Sequence, residues 1–261
     1  MKILFVGDIV GSVGRKMVAE HVLKLKKQYN VDFVIANGEN SAHGKGITYK
    51  IYNQLLNYGV DMITMGNHTY SKDTIFNFIE DAENMIVPMN LEPIEYGQHY
   101  KVVDICGVKL CICNLMCEVF MHNVDESPFT CMSEVLEDAQ ADIYFVDLHG
   151  EATSEKTAFA NVFKEDVQAI VGTHTHVQTA DERIIGKCAF ISDVGMCGAY
   201  DSIIGRDVEE VITRFLTNEK TRFTVAEGEG IFSAVLIDID TKEKCATNIK
   251  RIQIRPEQNK G

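Results

Sequence analysis

No run of apolar residues in this 261-residue chain reaches the roughly 20 needed to span a bilayer. The opening segment, residues 1–8, has too short an apolar run for a secretory signal, and it lacks a small-residue cleavage site. A cytoplasmic protein with no membrane partner is expected. Basic residues are scarce: 25 Lys and Arg stand against 38 Asp and Glu, a formal net charge of −13. Proteins that hold nucleic acid by its backbone need clustered cations, so stable nucleic-acid binding is not expected. Acidity serves solubility. An acidic protein that handles phosphates must also reverse its field locally, which bound cations do. CxxC pairs are missing too, and a structural zinc site would want two of them. The eight cysteines therefore read as reduced, mostly buried small hydrophobes. Gly11 and Gly14 lack the G-x-G spacing of a dinucleotide fingerprint. No repeat, low-complexity tract or Pro/Gly/Ser-rich linker divides the chain.

What is present is ordinary globular composition, 46% hydrophobic and 24% charged, in a length that supports a full core. Short apolar runs predict strands over 2–6, 33–36 and 62–65. Between and after them, helical spacing predicts helices over 15–28, 48–58 (Thr48 as N-cap) and 71–79 (Ser71 as cap). This β-α-β-α rhythm argues for parallel strands with helices on both faces. Residues 100–105 and 108–114, joined by Cys106-Gly107, read as an antiparallel hairpin. Helices are expected over 133–139, 154–163 and 208–216, and strands over 143–146, 169–171, 189–191, 223–225, 231–239 and 248–254. The expectation is one α/β domain over 1–261, with two packed β-sheets flanked by helices. The glycine-containing stretch 195–204, with Met196 and Tyr200, reads as an extended loop lying over a site or at a homo-oligomer contact.

The informative pattern is where polar residues sit. Asp8 follows the first strand, Asn37-Gly38-Glu39-Asn40 the second and Gly66-Asn67-His68 the third. His149-Gly150-Glu151 follows residues 143–148, and His174-Thr175-His176 follows 169–172. In open α/β sheets, sites form beyond the carboxyl ends of the strands. These points, far apart in sequence, should therefore converge. Taken singly, Asp8 suits a helix cap, and Asn40 or Asn67 suits a turn. Taken together, the set is made of metal-ligand types, and two imidazoles two apart on an extended segment share a face. His21, His43, His99 and His122 are left outside the set. Asp147 reads either as a support for the site or as an edge carboxylate in water. Arg15, opening the first helix, reads as a phosphate contact or as an ordinary exposed arginine. Gln178, Thr179 and Asp181 lie close in sequence to the histidine pair without defining a nucleotide pocket.

Gly7-Asp8, Gly38-Glu39-Asn40, Gly66-Asn67-His68, His149 and residues 172–176 together resemble the calcineurin-like metallophosphoesterases. The likeness runs from the first strand to Ala180 and preserves ligand order. Two departures stand out. The usual D-x-H is Asp8-Ile9-Val10, which removes a histidine, and the usual bridging aspartate is Glu39. Both departures, with Asn37-Gly38-Glu39-Asn40 and residues 192–196, resemble the bacterial YmdB-like subfamily. That resemblance implies a di-iron site and hydrolysis of 2′,3′-cyclic nucleotides. It implies that Asp8 and His176 bind one metal ion, that Asn67, His149 and His174 bind the other, and that Glu39 bridges them. Asn40, counted with the metal set, would orient the bridge or touch substrate. His68 would face the scissile phosphate as general acid.

General chemistry agrees with those roles. Two metal ions roughly 3.5–4 Å apart activate a water and neutralise a phosphodiester. The mixed oxygen and nitrogen donors suit Fe, Mn or Zn. A departing alkoxide needs a proton, and an imidazole is a natural donor. The competing readings are a phosphomonoesterase or nuclease with the same centre, and a metal-dependent nucleotide-binding regulator with little turnover.

Overall fold

Apolar runs that read as continuous become strands buried on both faces, as parallel sheets require. In the computed structural model, which describes residues 1–93 and 95–256, the first half contains β1 (Lys2–Val6), β2 (Asp8–Ile9), α1 (Gly11–Tyr29), β3 (Phe33–Asn37), α2 (Tyr49–Asn57), β4 (Met62–Thr64), β5 (Met85–Ile86), β6 (Tyr100–Ile105), β7 (Val108–Met116) and α3 (Pro128–Asp138). There follow β8 (Ile143–His149), α4 (Thr153–Phe163), β9 (Ala169–Thr173), β10 (Arg183–Ile185), β11 (Cys188–Ile191), β12 (Met196–Ala199), α5 (Val208–Thr217), β13 (Gly230–Asp240) and β14 (Cys245–Ile254). The last five residues of the expected 1–261 unit lie outside the described residues.

The strands form two sheets. One runs β2-β12-β13-β1-β3-β4-β5 with β14 paired to β13, and the other runs β10-β11-β9-β8-β7-β6. Alternation along each strand assigns its two faces. In β1, Ile3 and Phe5 enter the core between the sheets with Ile112, Phe145, Ala169 and Val171, while Leu4 and Val6 face the opposite way. Phe5 and Phe145 stack across the gap with ring centroids 5.6 Å apart. Helix α1 covers the outer face of the first sheet through Met17, Val18 and Val22, and α2 through Leu55. Met132, Val135, Phe159 and Phe163 of α3 and α4 cover the second sheet over Cys111, Val146 and Ile170. This is the two-sheet α/β arrangement expected. Parallel pairing of β1-β3-β4 and of β7-β8-β9 sends their carboxyl ends, where the polar residues sit, to one edge of each sheet.

Several local expectations hold in detail. The Thr48 hydroxyl caps α2 by accepting from Ile51 N at 3.4 Å. Cys106 and Gly107, at φ 54° and 87°, make the two-residue turn of the β6-β7 hairpin, with Ile105 opposite Val108. Others do not. The helix expected over 71–79 is two 3-10 turns, Asp73–Asn77 and Ile79–Asp81, because Phe78 at φ −147° breaks the helical path between them. Ser71 is not its cap: the hydroxyl lies 3.3 Å from His68 Nδ1. The strand expected over 223–225 reduces to one isolated bridge between Val225 and Arg206. The stretch 195–204 is not all loop, since Met196–Ala199 is strand β12, paired in parallel with β2 and antiparallel with β13. Among the described residues, no helix is long and apolar enough to cross a membrane.

Candidate metal centre

The five strand ends do meet. Gly66, just beyond β4, is where the approach is closest: a Cβ there would lie 2.4 Å from Glu39 Oε2 and 2.5 Å from His149 Cε1. Only glycine leaves room for the glutamate and the imidazole to come together. Around that point the polar atoms form two groups. In the first, His149 Nε2 lies 2.9 Å from Asn67 Oδ1, 3.1 Å from His174 Nδ1 and 3.4 Å from Glu39 Oε1. In the second, His176 Nε2 lies 3.7 Å from Asp8 Oδ1 and 3.2 Å from Asn40 Nδ2, which also donates to Glu39 Oε1 at 2.9 Å. Glu39 thus stands between the groups. Its other oxygen accepts the His68 backbone N–H at 2.8 Å. Asn40 presents its nitrogen here, and to serve as an oxygen ligand it would have to turn its amide over.

The proton bookkeeping around His149 and His176 says what this cluster lacks. Thr173 Oγ1 donates to Asp147 Oδ1 at 2.6 Å, so its lone pair accepts from His149 Nδ1–H at 2.9 Å. The proton is therefore on Nδ1, and the Nε2 lone pair points at Asn67 Oδ1. His176 Nδ1 lies 2.8 Å from the Ile204 carbonyl, an arrangement that turns its Nε2 toward Asp8 Oδ1 and the Asn40 amide. Asp8 Oδ1 is buried with no hydrogen-bond partner. Convergent lone pairs and an orphaned buried carboxylate oxygen are costly unless a cation sits among them. The donor set of buried carboxylates, amide oxygen and imidazoles fits a metal ion, and ligand atoms of Glu39, His149 and His174 all lie within 4.8 Å of one another.

The titration behaviour agrees. Burial pushes the Asp8 carboxyl up to about 6, against the pull of His176. Burial raises Glu39 well above the usual carboxylate range, and neighbouring Asp8 raises it further. Burial, and then the neighbouring His174, holds His149 far below the ordinary imidazole range. Burial also lowers His174, although Glu151 pulls it the other way. His149 is therefore neutral, and its approach to Glu39 is not an ion pair. His68, set back from the cluster, is lowered to about 4, mainly by burial and then by Lys45.

The histidine pair converges for a reason other than the expected one. His174 and His176 are not on an extended segment: they sit at φ 105° and 66°. Positive φ in non-glycine residues costs of order 1–3 kcal/mol each and persists only where the surroundings impose it. Here a buried pair imposes it. Lys156, fully buried on α4, donates to the Thr173 and Ser192 carbonyls at 2.8 and 3.0 Å and lies 3.5 Å from Asp193. Asp193 in turn accepts Thr175 N at 2.9 Å and Gly195 N at 2.8 Å. The centre opens into a cavity of about 430 Å³ lined by Glu39, Asn40, His68, His174 and His176 and walled by Lys45, Arg206 and Phe223. A larger cavity, about 840 Å³, lies among Tyr49, Tyr52 and Phe78 and touches none of the candidate ligands. The chemistry favours the smaller.

The sequence profile of the YmdB-like proteins matches residues 4–252. The chain belongs to the YmdB-like family. A 2′,3′-cyclic-nucleotide 2′-phosphodiesterase of Bacillus subtilis (strain 168) is 49% identical over 257 residues, 97% of each chain. Among solved structures, a Mycoplasma pneumoniae protein described as a novel phosphatase superposes with a TM-score of 0.93 at 34% identity, covering 98% of this chain and 93% of that one. A hypothetical protein from Thermus thermophilus superposes with a TM-score of 0.91 at 34% identity, covering 98% of this chain and 99% of that one.

Within this YmdB-like chain, all eight residues singled out from sequence, Asp8, Glu39, Asn40, Asn67, His68, His149, His174 and His176, line or adjoin the one centre. Asp147 is no edge carboxylate in water: it is fully buried and accepts from Thr64, Thr173 and Asn37. Burial raises it to about 7. Arg15 is not among the residues lining this cavity, and its guanidinium donates to the Ser41 carbonyl. Gln178, Thr179 and Asp181 serve the backbone instead, bonding to Val194, Asp193 and Ser192. His21 packs against Phe232, with centroids 5.5 Å apart. The roles of Lys156, Asp193, Thr173 and Glu151 were not legible from sequence. Glu151, two residues past His149, approaches His174 Nε2 at 3.3 Å; its position just beyond a ligand was the signal available.

Proposed function

We propose that this chain is a dinuclear metal-dependent phosphodiesterase that hydrolyses 2′,3′-cyclic nucleotides, with His68 as general acid. The observation that carries the reading is the pair of facing lone-pair groups, Asn67–His149–His174 and Asp8–His176, with Glu39 between them at the base of an open cavity. The activity named for the Bacillus subtilis relative, at 49% identity over 97% of both chains, supports the substrate class. Asp8 and His176, with Asn40 beside them, would hold one ion; Asn67, His149 and His174 would hold the other; and Glu39 would reach both. Iron is the metal the family resemblance favours, and the donor types also suit Mn or Zn. When bound, such ions supply Lewis acidity, activate water and neutralise phosphate charge.

The chain's own residues do the rest. Thr173 and Asp147 fix the His149 tautomer, and the Ile204 carbonyl fixes that of His176. Burial keeps the His68 imidazole neutral in the substrate-free protein. An anionic phosphodiester beside it favours the protonated form, and that form can deliver a proton from the imidazole to the departing ribose oxygen.

The test joins metal analysis of protein purified without chelators to parallel assays on a 2′,3′-cyclic nucleotide, an aryl phosphomonoester and a short RNA. Two ions per chain and turnover of the cyclic nucleotide above the other two are expected. Reloading of metal-stripped protein should weaken as pH falls through about 6, because Asp8 keeps its proton up to that point and protons compete with metal for it. One ion per chain at saturation, with His149 or His174 replaceable at no loss, overturns the reading.

We propose further that residues 1–261 fold as one unit. The first sheet takes β1, β3, β4 and β5 from early in the chain and β12, β13 and β14 from late in it. Limited proteolysis should therefore release no stable half. A cut between Pro88 and Gln98 that leaves two folded, metal-retaining pieces would contradict this.

A further inference from the structure

The turn that continues from Glu39 and Asn40 carries a cation that the roles above leave unused. Lys45 stands between Gly44 and Gly46, at φ 82° and 74°, in a turn closed by Gly44 N donating to Asn40 O at 3.1 Å and Ala42 N donating to Gly46 O at 2.9 Å. Its backbone is thus tied to the same residues that build the centre. Phe223 packs into the space above Gly44, where a Cβ would lie 2.7 Å from the ring. The Lys45 ammonium lies 5.2 Å from the centroid of that ring. Arg206 also sits on Phe223, at 4.8 Å, but it is committed to Glu210. Lys45 is exposed, and among the described residues it forms no ion pair. An ammonium resting on an aromatic face keeps its N–H donors available. In a chain of net charge −13, an uncommitted ammonium lining the same cavity as His68, His174 and His176 is placed for an anion.

We propose that Lys45 is a catalytic residue that binds the non-bridging oxygens of the scissile phosphate, with the Phe223 ring holding it over the cavity. This rests on the phosphodiesterase reading. Charge on those oxygens must be stabilised in the transition state whatever the leaving group. Lys45 should therefore matter equally for good and poor leaving groups, unlike a residue that protonates the leaving oxygen.

The test is Lys45→Met in the full, metal-loaded chain, assayed on a 2′,3′-cyclic nucleotide and on bis(4-nitrophenyl) phosphate. Because Lys45 is exposed, the fold and metal content should be unchanged. The value of kcat/KM should fall by about 10- to 100-fold on both substrates, a partial loss of the scale seen for one transition-state donor. Lys45→Arg should recover most of it, and Phe223→Leu should lose part of it, chiefly in KM. Unchanged kcat/KM in Lys45→Met, a loss confined to the cyclic nucleotide, or a loss of bound metal each overturns the proposal. If the loaded wild-type chain cleaves neither diester, the phosphodiesterase reading is what fails. Calorimetry with inorganic phosphate then decides on Lys45: weaker binding in Lys45→Met supports it, and equal binding overturns it.

Discussion

His68→Ala should retain two metal ions per chain and its affinity for substrate while kcat on a 2′,3′-cyclic nucleotide falls by roughly 10²–10⁴, the scale of a lost general acid. His68 directly follows Asn67, whose oxygen faces His149, yet only its backbone N–H reaches the cluster, at Glu39. Its imidazole lines the cavity and touches Ser71 at 3.3 Å instead. With a nitrophenolate leaving group, which departs without a proton, the loss should shrink to a small factor. The contrast with Lys45→Met, expected to be blind to the leaving group, separates proton delivery from phosphate binding in one set of assays. A variant that sheds metal, or slows both substrates alike, would put His68 in the coordination sphere or on the phosphate.

Gly66→Ala is expected to disable the centre while the fold survives. The added carbon would lie 2.4 Å from Glu39 Oε2 and 2.5 Å from His149 Cε1, and neither neighbour is free to yield. Glu39 is buried and held by His68 N and Asn40, and His149 is buried and held by Thr173. Metal affinity should drop at least about 10- to 100-fold, as when the supports of metal ligands are disturbed. Overpacking should cost a further ~1–3 kcal/mol of stability, with activity lost in step with metal. Calorimetric metal titration and thermal melts read the two effects separately. Gly107→Ala serves as the control: its Cβ would meet nothing within 4 Å, but its φ is 87°, so it should lose some stability and no metal. Wild-type metal affinity in Gly66→Ala would show that the close approach of Glu39 and His149 is dispensable.

The centre was legible because parallel strands place their carboxyl ends on one edge, so a polar residue after each apolar run marks a shared point. Asp8, Glu39, Asn67, His149 and His174 all follow that logic. His174 and His176 do reach the cluster, but not for the reason expected, since a positive-φ loop rather than an extended one brings them there. What fixes that loop could not be read. Lys156 lies in an amphipathic helical stretch where lysine ordinarily faces water, and its carbonyl partners come from two different strand ends. Asp147 looked ambiguous because its partners, Thr64, Thr173 and Asn37, come from three other strands. Strands of two to four residues such as β2, β5, β10 and β12 carry too few residues for any periodicity. The helix expected over 71–79 failed where Ile75 and Ile79 are both buried, the right spacing, but in separate 3-10 turns.

The pairing of β2 with β12 orders the molecule's assembly. Asp8 precedes every other candidate ligand in the chain, but its backbone is gripped by Gly195 and Met196, and β12 is itself anchored on β13. A nascent chain that has displayed Asp8, Glu39, Asn67, His149 and His176 has the β1-β3 pairing but still lacks β12 and β13, the strands that flank β2 and β1 on their other side. The completed cluster thus depends on β13, and a ribosome-bound fragment ending before Gly230 would carry every candidate ligand without possessing a complete place to use them.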